Sequence, residues 1–406
     1  MRLVVLALVI ILPIFSYAQS FFTVSGLLED SETGEPLVFA SIGIKGKPIS
    51  TVSNAMGEFD FHVPEECRNE YLKISMLGYK NYEAPLANFI GRDTVILKLE
   101  KAVQVLDEVV ITDSLNGGEI VRIALSRIEK NYPMEPYLMD GFYRDLKKLG
   151  GTYFSLLEAA VKIYDEDYGE PRKKDRLREK VALMEVRKSL SYETHKFSRY
   201  FDQHNLLEDL LLHNNIKYRT FPGEDSFFDQ FERLNNSYYN GYKIYAVYLN
   251  TDLYTLKMYI DQESYSIIRM EYQIIYPDNT LKKKVGSVSR YISDTKVIGF
   301  KQYEDKMYLN YIKVVSQFNW YDAKTNDLNF ETEMHQELLI NKVYPHTAER
   351  ISSTKKMKRY GLQYQDEAYN KDFWDNYNVI KDTPLDKEIV ADLEKLGSLD
   401  EQFKND

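Results

Sequence analysis

Strict alternation of apolar and polar positions is clearest at Glu58 to Val63, where Phe59, Phe61 and Val63 fall on one side of an extended chain before Pro64 ends it. Shorter segments of the same kind surround it. Phe21 to Leu28, Val38 to Ile44, Tyr71 to Met76, Tyr79 to Tyr82 and Thr94 to Leu99 all read as strands. Turn residues separate them: the acidic Glu29–Glu32, then Thr33-Gly34-Glu35-Pro36, Lys45 to Pro48, and Ser53-Asn54-Ala55-Met56-Gly57. Short strands with turn signals every eight to twelve residues predict a β-sandwich of about a hundred residues.

After Tyr238 the alternation returns on a larger scale. Tyr242, Ile244, Ala246 and Tyr248 share one face of a strand, and Leu256, Met258 and Ile260 share a face of the next. Ile268, Met270, Tyr272, Ile274 and Tyr276 follow the short Asp261–Ser264 turn, so the pair reads as a hairpin. Val285 to Ile292, Met307 to Phe318 and Phe330 to Val343 extend the series into one large, curved antiparallel sheet. Between the two β regions lie a polar linker, Asp113 to Gly118, and a helix from Ile120 to Glu129 carrying Val121, Ala124, Leu125 and Ile128 at helical spacing. Gly141 to Arg144 begins a strand, and Gly151 to Tyr164 continues it ambiguously. Asp165 to Lys180 is dense in charge and reads as an exposed loop or a helix with a wet face. Leu206-Leu207 and Leu210-Leu211 form a helical couplet suited to packing on the sheet. Asp382-Thr383-Pro384 has the character of a helix start in the tail. The fold class is therefore mainly β with an α+β second domain. The expected organisation is a leader over 1–18, a sandwich over 21–112, a linker over 113–118, a sheet domain over 119–380 and a helical tail over 381–406.

The leader reading rests on Arg2, the apolar run Leu3 to Phe15 and the small residues Ser16 and Ala18 flanking Tyr17, the pattern of a cleaved signal peptide. The run is shorter than the about 20 apolar residues a membrane helix needs, so no span is expected in the mature chain. The formal net charge of −10 argues against a nucleic-acid partner. Cys67 is the single cysteine, so no internal disulfide can form and the domains must rely on apolar cores.

The spaced elements Val24-x-Gly26, Thr33-Gly34-Glu35-Pro36-Leu37, Ala40-Ser41-Ile42, Ser50-Thr51, Gly57-Glu58-Phe59 and Ile74-Ser75-Met76-Leu77-Gly78-Tyr79 resemble the carboxypeptidase-like regulatory domain. The resemblance covers about Phe21 to Thr112. It implies a seven-stranded transthyretin-like sandwich of the Gram-negative envelope, without catalytic residues. The same domain fronts TonB-dependent transporters of the starch-utilisation type, where a string similar to Leu106 to Thr112 serves as an energy-coupling box that pairs with a partner by strand addition. Asp107, Glu108, Val109, Val110, Ile111 and Thr112 are thereby candidates for partner binding, or else a last strand leading into the linker. Too few residues follow for a barrel of roughly 22 strands. The region after Tyr238 resembles in layout the half-barrel of periplasmic lipoprotein carriers, where a helix lies across the concave side. That resemblance makes Ile268, Met270, Tyr272 and Ile274 candidate ligand-lining residues.

Catalytic signatures are absent from the sequence: no zinc-protease helix, nucleophile elbow, P-loop or dinucleotide fingerprint occurs. Ser352 and Lys355 stand at Ser-x-x-Lys spacing without companion motifs. The nine-residue intervals among His195, His204 and His213 do not share a helix face, so no metal and no cofactor is expected. The 33 tyrosines suit half-wet strands, with a buried ring and a solvated hydroxyl; they also suit platforms for a sugar or an amphipathic ligand. Three functions are open. The first is a non-catalytic exported protein of the periplasm or outer membrane that binds or scaffolds an envelope protein, an apolar ligand or a glycan. The second is a carrier of a lipid or other apolar ligand in the C-terminal sheet. The third is a hydrolase using scattered carboxylates.

Overall fold

The structure, a computed structural model, describes residues 20–102, 114–189, 206–277, 280–284, 286–357, 361–362, 365, 368–381 and 391–404. The leader, the strand-addition candidates Asp107 to Thr112 and the helix start at Asp382 to Pro384 lie outside the described residues.

Seven strands build the front module: β1 (Phe21–Asp30), β2 (Ser41–Ile44), β3 (Ser50–Val52), β4 (Glu58–Pro64), β5 (Tyr71–Ser75), β6 (Tyr82–Pro85) and β7 (Val95–Leu99). They form two sheets, β4-β1-β7 and β3-β2-β5-β6, with β1 antiparallel to β4 and parallel to β7. Val24, Leu28, Phe59, Phe61 and Val63 from one sheet meet Ile42, Ile44, Leu72 and Ile74 from the other, and all are buried. The alternation at Glu58 to Val63 thus has its expected meaning, with the core on one face. The expected strand Val38 to Ile44 is shorter in the fold because Phe39 adopts a φ of 57°. Ser53 stabilises that bend, its hydroxyl donating to the Leu37 carbonyl at 2.6 Å and accepting the Ala40 N–H at 2.9 Å.

The second body is a 12-stranded sheet with the order β10-β9-β8-β19-β18-β17-β15-β14-β13-β11. Its strands are β8 (Tyr137–Leu149), β9 (Thr152–Asp165), β10 (Lys180–Lys188), β11 (Glu232–Arg233), β12 (Ser237–Tyr239), β13 (Tyr242–Asn250), β14 (Tyr254–Asp261), β15 (Ile267–Ile275), β16 (Thr280–Lys284), β17 (Ser287–Tyr303), β18 (Lys306–Asp322) and β19 (Leu328–Tyr344). All pairings are antiparallel, and β12 and β16 hang off β13 and β17. The stretch that read ambiguously is the hairpin β8–β9, turned by Gly150 and Gly151 at φ values of 54° and 86°. Its middle hid from pattern reading because β8 is buried along most of its length, with Arg144 and Asp145 inside.

Among the described residues, five helices that precede or interrupt the strands cover one side of the sheet: α1 (Gly117–Ser126), α2 (Ile128–Asn131), α3 (Leu206–Leu212), α4 (Asn215–Tyr218) and α5 (Asp225–Phe228). Ile120, Leu207, Leu210, Ile216 and Phe227 from the helices share a core with Met258, Met270, Val314 and Leu338 from the sheet. The expected linker ends earlier than its glycines suggested. Asn116 caps α1 by accepting the Glu119 N–H at 2.9 Å, while the Glu119 carboxylate accepts the Asn116 N–H at 2.8 Å, so the helix opens at Gly117. The segment after Asp165 also departs from its expected wet character. Lys173 and Lys174 are exposed, but Asp165, Tyr168 and Glu179 are buried around Lys217 of α4.

The opposite side of the sheet receives the sandwich. Val52 of β3 joins Phe142, Ala160, Tyr311 and Leu339 of the sheet, with Trp374 and Ile380 from the C-terminal segment completing a shared apolar cluster. Backbone bonds lock the two bodies: Val343 N–H donates to the Pro48 carbonyl at 3.0 Å and Gly78 N–H to the Tyr238 carbonyl at 2.7 Å.

Candidate functional site

Where the sandwich meets the sheet, docking leaves a cleft of about 580 Å³. One wall is the β2–β3 turn with Lys73 and Ser75 of β5. The other is made of hairpin ends: Tyr239, Asn240 and Tyr242 at β12–β13, Asp261 to Ser266 at β14–β15, and Lys301 to Glu304 at β17–β18. Each hairpin end has its own reason for being there. Asn240 and Gly241 both take positive φ, 55° and 88°, as a two-residue reverse turn of the primed type requires. The Asp261 carboxylate accepts the N–H groups of Glu263 and Ser264 at 3.1 and 2.7 Å and the Ser264 hydroxyl at 2.7 Å, fixing the next turn.

A second cavity of about 260 Å³ runs deeper under the sandwich and shares Ser75, Tyr239 and Ile268 with the first. Its lining is more apolar and aromatic, with Phe39, Met76, Leu77, Tyr259 and Tyr311, and its charged members Arg269 and Glu271 pair with each other at 2.7 Å. The cleft therefore has an outer polar lobe rich in lysine and an inner aromatic lobe. Of its outer acids, Asp261 is engaged in the turn and Glu304 with His346 at 3.3 Å, while Glu263 lies on the exposed tip of the β14–β15 turn.

The four candidate lining residues do not converge. A β-bulge sits where Tyr259 pairs with Arg269 and Ile260 with Ile267, leaving Ile268 as the extra residue. The bulge flips the parity of the strand, so Ile268 faces the cleft while Met270 and Tyr272 face the helices. On the helix side they line a cavity of about 100 Å³ with Phe221, Phe227 and Leu256. Ile274 lines neither of these spaces.

A buried polar cluster stands apart from the cleft. The Lys217 ammonium pairs with Asp165 and with Glu179, the latter at 3.4 Å. Tyr137 donates to Asp165 and Tyr218 to Glu179, each at 2.5 Å. Burial and the neighbouring carboxylates push both phenols well above the usual tyrosine range. Similar pairs recur elsewhere: Tyr344 with Asp140 at 2.6 Å, Tyr276 with Asp294 at 2.7 Å, and Tyr79 with Asp30 at 2.8 Å. Tyr137 and Tyr218 are thus fully buried partners of carboxylates, whereas Tyr79, Tyr276 and Tyr344 are half-buried, as the half-wet reading expects. Among the described residues no group of three or more His, Cys, Asp or Glu is placed to hold a metal ion. Ser352 of the Ser-x-x-Lys spacing lies in an exposed turn, its hydroxyl 2.9 Å from that of Thr354.

Residues 24–111 match the model of the CarboxypepD_reg-like domain. The front sandwich is a CarboxypepD_reg-like domain. Over 102 residues the chain is 33% identical to the TonB-dependent receptor SusC of Bacteroides thetaiotaomicron, a stretch amounting to 25% of this chain and 9% of the receptor. Among solved structures, a DUF1329 family protein from Desulfovibrio piger aligns at TM-score 0.28 and 8% identity, over 58% of this chain and 96% of that one. Lipovitellin aligns at TM-score 0.25 and 13% identity, over 65% of this chain and 31% of its own. TM-scores of this size do not establish a shared fold. The CarboxypepD_reg-like domain supplies the β2–β3 and β5 wall of the cleft, and the sheet supplies the rest.

Proposed function

We propose that this is a non-catalytic binding protein of the Gram-negative envelope that holds a small amphipathic ligand between its CarboxypepD_reg-like domain and its large sheet. The two-lobed cleft carries this reading: its volume falls in the range of small-molecule sites, and it joins polar groups to an aromatic recess. The cavity that Met270 and Tyr272 line on the helix-covered face measures about 100 Å³, small for a lipid chain, which favours the cleft on the other side of the sheet. Export is supported by the apolar run Leu3 to Phe15, and the envelope by the likeness of the front domain to that of SusC. No helix among the described residues is long and apolar enough to cross a membrane.

Filling the inner lobe tests the reading. Ile268→Trp should abolish binding of a neutral amphiphile such as decyl maltoside, followed by calorimetry, while Tyr254→Phe, outside both lobes, should not. Equal binding by Ile268→Trp and the parent chain would overturn it.

A further inference from the structure

Lys301 lies near the end of β17 and its ammonium enters the outer lobe, over the Tyr303 ring at 5.6 Å from the centroid. It has room only because position 43 lacks a side chain: a Cβ on Gly43 would lie 2.7 Å from the Lys301 Nζ. Among the described residues the Lys301 ammonium has no carboxylate within ion-pair distance and no hydrogen-bond acceptor. Lys73 of β5 faces it, and its own partner Glu83 is 3.8 Å away on the far side. A half-buried cation without a partner is costly, and a second cation beside it raises the cost. What relieves both is an anion.

We infer that the outer lobe recognises an anionic head group, a carboxylate or a phosphate, through the ammoniums of Lys301 and Lys73, with the apolar body of the ligand in the inner lobe. This rests on the cleft being a ligand site. The other charged groups at the cleft leave that role open. On the β2–β3 turn, Lys47 is held by Glu70 at 3.0 Å. Lys130, in α2, is exposed at the rim. Asp261 and Glu263 belong to the β14–β15 turn, and Glu304 at the β17–β18 turn is paired with His346. The phenols of Tyr239 and Tyr303 are raised by burial and stay neutral as donors. Burial and the nearby Lys73 lower Lys301 from 10.5 to about 7. A bound anion favours the charged form, so binding takes up a proton, and affinity falls by up to about tenfold per pH unit above that value.

Calorimetry on the full chain with decanoate, decyl phosphate and uncharged 1-decanol tests the inference. At least one of the two anions should bind about tenfold or more tighter than decanol at pH 7, and which one does identifies the head group. Lys301→Met and Lys73→Gln should each remove most of that advantage of the anion over decanol; either variant suffices if the other does not fold. Heats measured in buffers of different ionisation enthalpy should report more proton uptake in the parent chain than in Lys301→Met. Decanol bound as well as both anions would overturn the anion site while leaving the cleft as a ligand site. No binding of any of the three would overturn both.

Discussion

Asn378 grips the backbone of His62 with both ends of its amide. Its oxygen accepts the His62 N–H at 2.7 Å and its nitrogen donates to the His62 carbonyl at 3.2 Å. His62 lies on β4, an edge strand of the sandwich, whose free backbone groups would otherwise be open to solvent or to another chain. The Asn378 carbonyl accepts from the Asn341 amide of β19 at 2.7 Å, so one residue ties the sandwich edge to the sheet. Lys381 extends the strap, its ammonium 3.0 Å from Asp60 and its carbonyl accepting from Asn54 at 3.1 Å. Asn378→Ala should therefore cost ~1–3 kcal/mol in urea denaturation, because it strands two backbone groups and not merely one side chain. A midpoint within error of the parent's would show that the strap does not hold the bodies together.

Two effects oppose each other at Gly118, and geometry decides the sign. Alanine is favoured over glycine in a helix by about 1 kcal/mol, which alone predicts a more stable protein. A Cβ at Gly118, however, would run into the Phe228 carbonyl oxygen, and one at Gly117 would lie 2.5 Å from that of Phe231. The obstacle is backbone of α5 and the turn after it, which cannot swing aside as a side chain can. Gly118→Ala should lower stability by ~2 kcal/mol or more in urea denaturation; a gain would mean that α1 can slide away from α5.

How far the sequence reaches is clear from such places. The front module could be read because its alternation, turn glycines and spacing agree with one another, and Phe59, Phe61 and Val63 are buried as their pattern implies. The large sheet was legible in kind, but its central strands are covered on both faces, which erases alternation in β8. The glycines of the expected linker belong to a helix packed tightly on a neighbour, a tertiary reason that no local window contains. The cleft was invisible for a sharper reason. A single extra residue at Ile268 reverses the parity of β15, and a period-two reading carried through the bulge puts Ile268 on the face of Met270 and Tyr272 when it faces the cleft. Asn240-Gly241 was the one local signal available, marking a hairpin end that turned out to be part of the cleft wall.

Lys217 illustrates what buried charge does in this fold. Its two carboxylates, Asp165 at the end of β9 and Glu179 just before β10, bring the irregular segment between those strands onto α4. Removing the ammonium leaves two buried carboxylates with no countercharge. Lys217→Met should cost ~3–5 kcal/mol, among the largest effects of any single change in the sheet body. Adding Asp165→Asn and Glu179→Gln removes the stranded charges, so the triple variant should recover much of the loss. Denaturation of the single and triple variants checks this, and a triple variant less stable than Lys217→Met would contradict it.

The same reasoning gives Lys301 a signature in the ligand-free protein. Its ammonium is lowered from 10.5 to about 7 by burial and by Lys73. A cation depressed in the folded state is penalised wherever both states carry the charge, so the penalty is fully present below about pH 7. Between about pH 7 and the unfolded value of 10.5 the unfolded chain holds more protons than the folded one, and stability attributable to this residue rises with pH. Other groups titrate over that range, so the quantity to follow is the difference between the parent chain and Lys301→Met. Urea denaturation of both at pH 6.5 and pH 9.5 should show the parent gaining on the variant at the higher pH. Addition of the anion identified by calorimetry should reverse the trend, because the bound state keeps Lys301 charged and is itself favoured at low pH. A parent–variant difference that is flat across the two pH values would mean that water or a moving carboxylate already solvates the Lys301 ammonium, and the outer lobe would lose its reason to prefer an anion.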